Sequence, residues 1–144
     1  MKYFPIFVDA EYIHCLLVGA GEVAARKCEL LLKTPAKITI VSPWVSNTVK
    51  RLAAESTQIT LIERKFEDTD IEGKQMTFVA TDDALVNKRI HDIAHAKNML
   101  VNVADNTPLC KFITPSTVYR SPIIIAMSSG GVAPVLLRYI RQKL

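Results

Sequence analysis

Short apolar runs alternate with stretches of helical periodicity along most of the chain. The apolar runs have the length of buried strands, and they are Cys15–Gly19, Lys37–Val41, Gln58–Ile62, Met76–Ala80 and Met99–Val103. Between them the pattern predicts helices over Glu22–Lys33, Trp44–Glu55 and Asp83–Lys97. Strands that alternate with helices predict an α/β fold with a doubly wound parallel sheet, covered by helices on both faces.

The pattern changes after Asp105. Two extended segments, 111–120 and 122–127, precede a turn at 128–131 and a final helix opened by Pro134. This helix has an apolar side, formed by Leu136, Leu137, Ile140 and Leu144. One strand pair and one helix cannot bury such faces alone, and a second copy of the chain is the economical partner. We expect a domain over residues 1–112, then a β-β-α dimerisation segment over residues 113–144 of a homodimer.

Composition and charge narrow the classes of partner. Of 144 residues, 49% are hydrophobic and 22% charged, as in ordinary globular chains. No apolar run approaches the ~20 residues of a membrane helix, so no membrane partner is expected. The net charge of +4 is modest, and no dense basic run suggests nucleic acid. A ligand rich in phosphate or carboxylate groups would be attracted to late cations, which are Lys111, Arg120, Arg138, Arg141 and Lys143.

Neither cysteines nor histidines form a metal-binding pattern. Cys15, Cys28 and Cys110 are odd in number and include no C-x-x-C pair, so neither a disulfide framework nor a zinc site is predicted. His91 and His95 have a spacing that can bind metal, but no Glu or Cys nearby completes a ligand set. We predict no metal site, and the unpaired thiols indicate a reducing cytoplasm.

The sharpest motif is a G-x-G-x-x-A sequence between the first predicted strand and helix. In this context Gly19 allows a tight turn, Gly21 lets the backbone approach a pyrophosphate, and Ala24 lets the helix pack closely on the sheet. The helix N-terminus supplies amide groups for the anion. The motif predicts a Rossmann-type domain that binds a nicotinamide dinucleotide, and a merely structural turn is the alternative.

One part of the dinucleotide fingerprint is missing. An acid that would hold the ribose hydroxyls is expected about 20 residues further on, where the chain reads Ser42-Pro43-Trp44. Ser42 could serve as a neutral ribose partner, or it could cap the second helix with Pro43 at the first position. No arginine lies there to bind a 2′-phosphate, so these residues leave NAD and NADP undecided.

Further polar residues follow the last two predicted strands. Thr81, Asp82 and Asp83 come after the fourth strand, and Asn102 and Asp105 mark the end of the fifth. Ligands of open parallel sheets bind outside the carboxyl ends of the strands, so these residues are candidates for the cofactor site. N-capping of the next helix is the alternative for Asp82 and Asp83, and it is expected to hold for one of them.

Tyr139 and Lys143 have the Tyr-x-x-x-Lys spacing of short-chain dehydrogenases. They lie at the end of the chain, after only five sheet strands, and Tyr139 adjoins an apolar helix face. We interpret the spacing as a coincidence, with a small dehydrogenase that uses this pair as the competing hypothesis.

Taken in order, the motifs resemble those of the N-terminal module of siroheme synthase. This is the precorrin-2 dehydrogenase family, and many of its members are also sirohydrochlorin ferrochelatases. The resemblance covers essentially the whole chain and rests on Phe4–Phe7, Val18–Ala24 with Arg26 and Lys27, Ala80–Asp83 with Val86 and Asn87, Val101–Asp105, Arg120–Pro122, and Ser128–Gly131 with Pro134.

The resemblance implies an NAD-dependent dehydrogenase that oxidises precorrin-2 to sirohydrochlorin in siroheme biosynthesis. In some members the same module then inserts Fe²⁺ into sirohydrochlorin. The resemblance also implies a homodimer formed through the segment after the Rossmann domain. The many carboxylates of the tetrapyrrole substrate suit the late basic residues.

The resemblance also suggests roles for individual residues. Glu22 and Val23 match the turn that meets the cofactor, and Pro43 and Trp44 match the loop on its adenosine side. Asp105 matches an aspartate proposed to act in dehydrogenation and chelation, where a carboxylate takes a pyrrole proton or guides a cation. Without the resemblance, Asp105 would be interpreted as a turn-forming acid.

Three points stay open at this stage. Ser129 matches a serine phosphorylated in some relatives, and it is equally well explained as a turn residue. Members of this family usually continue with a helical region that helps cover the tetrapyrrole, whereas this chain ends at Leu144, which suggests a fragment or a minimal version. A non-catalytic module that senses NAD(H) through the same fold is the alternative function.

Overall fold

The structure, a computed structural model, describes all 144 residues. The chain divides into two compact units. Residues 7–111 form the larger unit, and residues 1–6 join residues 112–144 in the smaller one. None of the helices in either unit combines the length and apolar character needed to cross a membrane.

A five-stranded parallel sheet organises the larger unit. Its strands are β1 (His14–Val18), β2 (Lys37–Val41), β3 (Ile59–Ile62), β4 (Met76–Val79) and β5 (Leu100–Val103). They are arranged in the order β3-β2-β1-β4-β5, with every neighbouring pair parallel. The helices between them are α1 (Glu22–Leu31), α2 (Asn47–Glu55) and α3 (Ala84–Ala96). The predicted fold class is confirmed.

Both faces of the sheet are buried, as the continuous apolar runs predicted. Cys15, Leu16 and Leu17 are successive residues of β1, so they point to alternating faces, and all three are 0% exposed. On one face Leu16 belongs to a core that includes Ile90 and Ala94 of α3. This two-sided burial explains why the strands lack the alternation of apolar and polar residues seen in half-exposed strands.

The second helix begins later than the sequence predicted. We expected it to start at Trp44 with Ser42 as the N-cap, but α2 begins at Asn47 and its N-cap is Ser46, whose hydroxyl accepts a hydrogen bond from the amide of Val49 at 3.3 Å. The Ser42 hydroxyl instead donates to the Trp44 carbonyl. Residues 42–46 therefore form a loop rather than the first turn of a helix.

The smaller unit contains an antiparallel pair of strands and a helix. The strands β6 (Ser116–Arg120) and β7 (Ile123–Met127) pair along their full length, and α4 spans Pro134–Lys143. Val118, on β6, is the one buried apolar side chain of the smaller unit. Several large apolar side chains in this unit are exposed in the single chain, among them Ile123, Ile124, Val132, Val135, Leu136 and Tyr139.

Candidate dinucleotide-binding site

The order of the strands reverses between β1 and β4. From β1 the chain continues outward through β2 and β3, and then crosses back to place β4 and β5 on the other side of β1. The connections that leave β1 and β4 therefore diverge, which opens a crevice at the carboxyl ends of these two strands. Gly19 follows β1 and Ala80 follows β4, so both lie at this crevice.

Gly19 has a backbone conformation and a neighbour that only glycine accommodates. Its φ is +104°, and a Cβ atom placed on it would lie 2.2 Å from the carbonyl oxygen of Ala80. Its amide donates a hydrogen bond to the Val41 carbonyl at 3.0 Å. The turn after β1 is thus held against its neighbours on both sides.

The N-terminus of α1 is open toward the crevice. Its N-cap is Gly21, which has an extended backbone and no side chain to cap the helix. The first amides of an α-helix have no partner within the helix and carry the positive end of its dipole. Ala24 and Ala25 are buried, which lets the helix pack closely behind the turn. The amides of Glu22 and Val23 therefore form a site for an anionic group such as a pyrophosphate.

The loop of residues 42–46 borders the glycine turn. The Ser46 amide donates to the carbonyl of Ala20 at 2.9 Å. Trp44 is 67% exposed, and a Cβ atom on Gly21 would lie 3.9 Å from its ring. Ser42 is buried, with its hydroxyl bonded to the Trp44 carbonyl. Pro43 and Trp44 thus lie beside the anion site, while the ribose partner suggested for Ser42 competes with a bond inside the loop.

The residues after β4 have distinct roles. Asp83 is the N-cap of α3, and its carboxylate accepts hydrogen bonds from the amides of Leu85 and Val86 at 2.9 and 3.2 Å. Asp82 is exposed. Thr81 bonds through both its hydroxyl and its carbonyl to Asn87. The capping alternative thus holds for Asp83, and Thr81 and Asp82 remain at the crevice.

The two candidates on β5 and after it lie in different settings. Asn102 is 9% exposed, and it points to the sheet side away from α3 because its neighbours Val101 and Val103 pack in the core with that helix. Asp105 is exposed in the turn after β5, with a φ of +56° that aspartate tolerates better than most residues. The amide of Asn106 donates to the Val103 carbonyl at 3.2 Å and closes this turn. Asp105 is therefore the more accessible of the two.

Two polar residues near the site were not singled out from the sequence as site residues. Lys27 of α1 lies with its Nζ 5.5 Å from the centre of the Phe78 ring, and burial lowers the pKa of its amine. Asn87 lies on the first turns of α3 and bonds to Thr81. Both occur in the sequence only as parts of longer motifs. The spacing of these residues in the sequence does not reveal their contacts, because each contacts a residue outside its own helix.

The thiols of Cys15 and Cys28 take no part in this site. Burial raises the pKa of Cys15 to about 12 and that of Cys28 to about 11. Because the thiolate is the reactive form, both side chains are inert core residues. Tyr139 and Lys143 lie on α4 of the smaller unit, with Lys143 Nζ 5.4 Å from the centre of the Tyr139 ring.

A parallel sheet with a glycine turn and an open helix N-terminus at its switch point defines a Rossmann-type dinucleotide-binding protein. The family described as "Putative NAD(P)-binding" matches residues 6–116. The chain belongs to this family, and the predicted class of cofactor is confirmed.

Curated relatives of this chain are siroheme synthases, as the resemblance in the motifs predicted. The siroheme synthase of Pseudoalteromonas atlantica is 68% identical over all 144 residues, which cover 31% of that protein. The siroheme synthase of Pseudoalteromonas translucida is 44% identical over the whole chain and 30% of its own length. The chain thus spans about a third of the length of the curated relatives it matches. The predicted resemblance to siroheme synthase is confirmed.

Solved structures give the same result. "SirC, precorrin-2 dehydrogenase" superposes with a TM-score of 0.82 and 27% identity over 98% of this chain and 69% of that one. A short-chain dehydrogenase/reductase from Veillonella parvula in complex with NADP matches 64% of this chain and 46% of its own, with a TM-score of 0.51 and 20% identity. The second likeness shows the fold alone.

Proposed function

We propose that this chain oxidises precorrin-2 to sirohydrochlorin with NAD as the acceptor, in siroheme biosynthesis. The observation that carries the proposal is the superposition on a precorrin-2 dehydrogenase over 98% of the chain. The identity of 68% with a siroheme synthase supports the same pathway. The free thiols support a reducing compartment, so we place this activity in the cytoplasm.

The cofactor would be held by the groups around the crevice. The turn from Gly19 to Gly21 and the amides of Glu22 and Val23 would bind the pyrophosphate. Pro43 and Trp44 would adjoin the adenosine, and the backbone of the loop would take the role of the missing acid. Thr81, Asp82 and Asn102 belong to the half of the sheet beyond the switch point, where the nicotinamide half extends.

Asp105 is the proposed proton acceptor. Oxidation of precorrin-2 removes two electrons and two protons, of which NAD, when bound, accepts two electrons and one proton as a hydride. Asp105 would take the second proton from the tetrapyrrole and pass it to solvent. Its exposed position in the turn after β5 supports this role, because a large substrate can reach it from the edge of the sheet.

Turnover with purified substrate tests the proposal. The chain is mixed with precorrin-2 and NAD under anaerobic conditions, and NADH and sirohydrochlorin are measured together by absorbance. We expect one NADH for each sirohydrochlorin formed. NAD binding by calorimetry without any turnover above the enzyme-free rate would contradict the dehydrogenase and favour the non-catalytic NAD(H)-sensing alternative.

We also propose that the smaller unit joins two copies of the chain. Its exposed apolar side chains support this, with Ile123 60% and Val135 75% exposed in the single chain. Sedimentation is expected to show a dimer, and Val135→Asp is expected to shift it to a monomer. Leu85→Asp is the control, because Leu85 is 83% exposed on α3 of the other unit. A monomeric unaltered chain would contradict the proposal.

Insertion of Fe²⁺ into sirohydrochlorin is a second proposed activity, with Fe²⁺ as a substrate. It rests on the likeness to siroheme synthases, whose full chains are about three times longer. Adding Fe²⁺ to sirohydrochlorin with the chain should speed the appearance of the siroheme spectrum. An unchanged rate, with dehydrogenation intact, would restrict the chain to the oxidation.

A further inference from the structure

We infer that Asn87 is a positioning residue for the nicotinamide half of the dinucleotide. The inference rests on the proposed function and concerns the loop of residues 80–83, which links β4 to α3. Asn87 itself lies on α3 and is half-buried. It would act on the cofactor through this loop rather than by touching it.

The loop begins at Ala80, where the backbones of the connections after β1 and β4 come into direct contact. The Ala80 carbonyl packs against the backbone of Gly19, and the Thr81 amide lies 3.4 Å from the position of a Cβ on Gly19. A displacement of Thr81 would therefore change the wall of the crevice directly beside the pyrophosphate turn. A dinucleotide spans the crevice at this switch point, so the loop faces its second half.

Asn87 holds Thr81 at two points. Its Nδ2 donates a hydrogen bond to the Thr81 carbonyl at 3.1 Å, and its Oδ1 accepts one from the Thr81 hydroxyl. The same hydroxyl accepts a bond from the Asp83 amide at 3.2 Å. One carboxamide thus fixes both the backbone and the side chain of Thr81.

The arrangement couples the loop to a rigid element. Asp83 caps α3 and Asn87 lies one turn further along the same helix, so the helix fixes the carboxamide that holds Thr81. Helix stability alone would need only the Asp83 cap. The additional bonds from Asn87 serve the conformation of the loop, which is how a binding site gains from preorganisation.

The test compares the whole dinucleotide with its adenosine half. Asn87→Asp keeps the shape but places an oxygen where Nδ2 donated, so it repels the Thr81 carbonyl. We expect this variant to bind NAD about tenfold more weakly, equivalent to about 1.4 kcal/mol, by calorimetry. The affinity of the variant for ADP, which lacks the nicotinamide half, should change less than about twofold in the same calorimetric measurement.

Companion variants separate positioning from folding. Thr81→Val removes the hydroxyl that Asn87 binds and should reproduce the loss. Lys88→Ala breaks an exposed ion pair with Asp92 on the same helix and should bind NAD normally. Thermal unfolding confirms that each variant is folded.

Two results would overturn the inference. One is unchanged NAD affinity in folded Asn87→Asp and Thr81→Val, and the other is an equal loss for NAD and ADP, which indicates a general structural effect. Neither result touches the proposed dehydrogenase activity. Absence of NAD binding by the unaltered chain would contradict the proposed function and this inference together.

Discussion

The backbone of Gly19 packs directly against the carbonyl of Ala80, leaving no room for even a single methyl group. A Cβ atom on Gly19 would lie 2.2 Å from the Ala80 oxygen and 2.7 Å from its carbonyl carbon. Both contacts are with backbone, so no flexible side chain can move aside. The connections that follow β1 and β4 thus touch at Gly19, beside the proposed pyrophosphate site.

Gly19→Ala is therefore expected to destabilise the fold and to abolish NAD binding. The left-handed φ and the collision together should lower the free energy of unfolding by about 3 kcal/mol, measured by urea denaturation. Gly73→Ala is the matched control, since Gly73 has a φ of +72° but nothing within 4 Å of its Cβ position. It should cost only about 1 kcal/mol. Equal losses in the two variants would mean that the contact with Ala80 is easily relieved.

Trp44 is expected to report cofactor binding. It is the one tryptophan of the chain, it is 67% exposed, and its ring lies beside Gly21. A bound adenosine would remove the ring from water, so its emission should change in a saturable manner with NAD. The same titration with ADP should give a similar signal, because the adenosine half carries the contact. Binding seen by calorimetry with constant emission would place the adenosine elsewhere.

Asp105→Asn is expected to separate binding from chemistry. Asparagine tolerates the φ of +56° as aspartate does, so the turn should be preserved while the proton acceptor is lost. Turnover of precorrin-2 should fall about 100-fold, with NAD affinity and thermal stability unchanged. Asp68→Asn, at an exposed ion pair with Arg89, should keep the full rate. An active Asp105→Asn variant would reduce Asp105 to a turn-forming residue.

The sheet and the glycine turn could be predicted from the sequence because each rests on local signals. Buried parallel strands are continuous apolar runs, and Gly19, Gly21 and Ala24 have the spacing that backbone geometry requires. The start of α2 could not be predicted in this way. Ser42 and Ser46 are both suitable N-cap residues, so the sequence alone does not choose between them. In the structure the helix begins at Asn47, after Ser46, whose amide donates a hydrogen bond to the carbonyl of Ala20 in the connection between β1 and α1.

The polar part of the site was predicted only in outline. Sequence position placed Thr81, Asp82 and Asp83 at the end of a strand, but it could not assign the cap to Asp83 or reveal the contact between Thr81 and Asn87. Such roles depend on which atoms face each other after a strand turns into a helix. The sequence also placed Asp105 correctly after the fifth strand. Its catalytic role stays a prediction, because a turn-forming aspartate would adopt the same exposed conformation without any substrate.

The larger unit also contains a partly buried ion pair away from the site. Arg64 follows β3, and its two terminal nitrogens lie 2.8 and 2.7 Å from the two carboxylate oxygens of Asp70. The Glu67 amide adds a third bond to this carboxylate at 2.8 Å. The side chain of Asp70 is 7% exposed and that of Arg64 36%. The pair links the start of the connection between β3 and β4 to the short helical turn in its middle.

Asp70 is expected to make the stability of the fold sensitive to acid. Its hydrogen bonds with Arg64 lower the pKa of the carboxyl in the folded chain, although burial opposes this. The stabilisation is therefore complete above the unfolded value of about 3.9 and is lost as the pH falls below it. Asp70→Asn should lose about 1–2 kcal/mol at pH 7, since Arg64 is partly solvated, and its difference from the unaltered chain in denaturation should shrink as the pH falls below the unfolded value. Asp92→Asn, at an exposed pair with Lys88, should change nothing measurable. A constant difference between Asp70→Asn and the unaltered chain from pH 7 to 3 would show that the carboxylate charge is irrelevant to the fold.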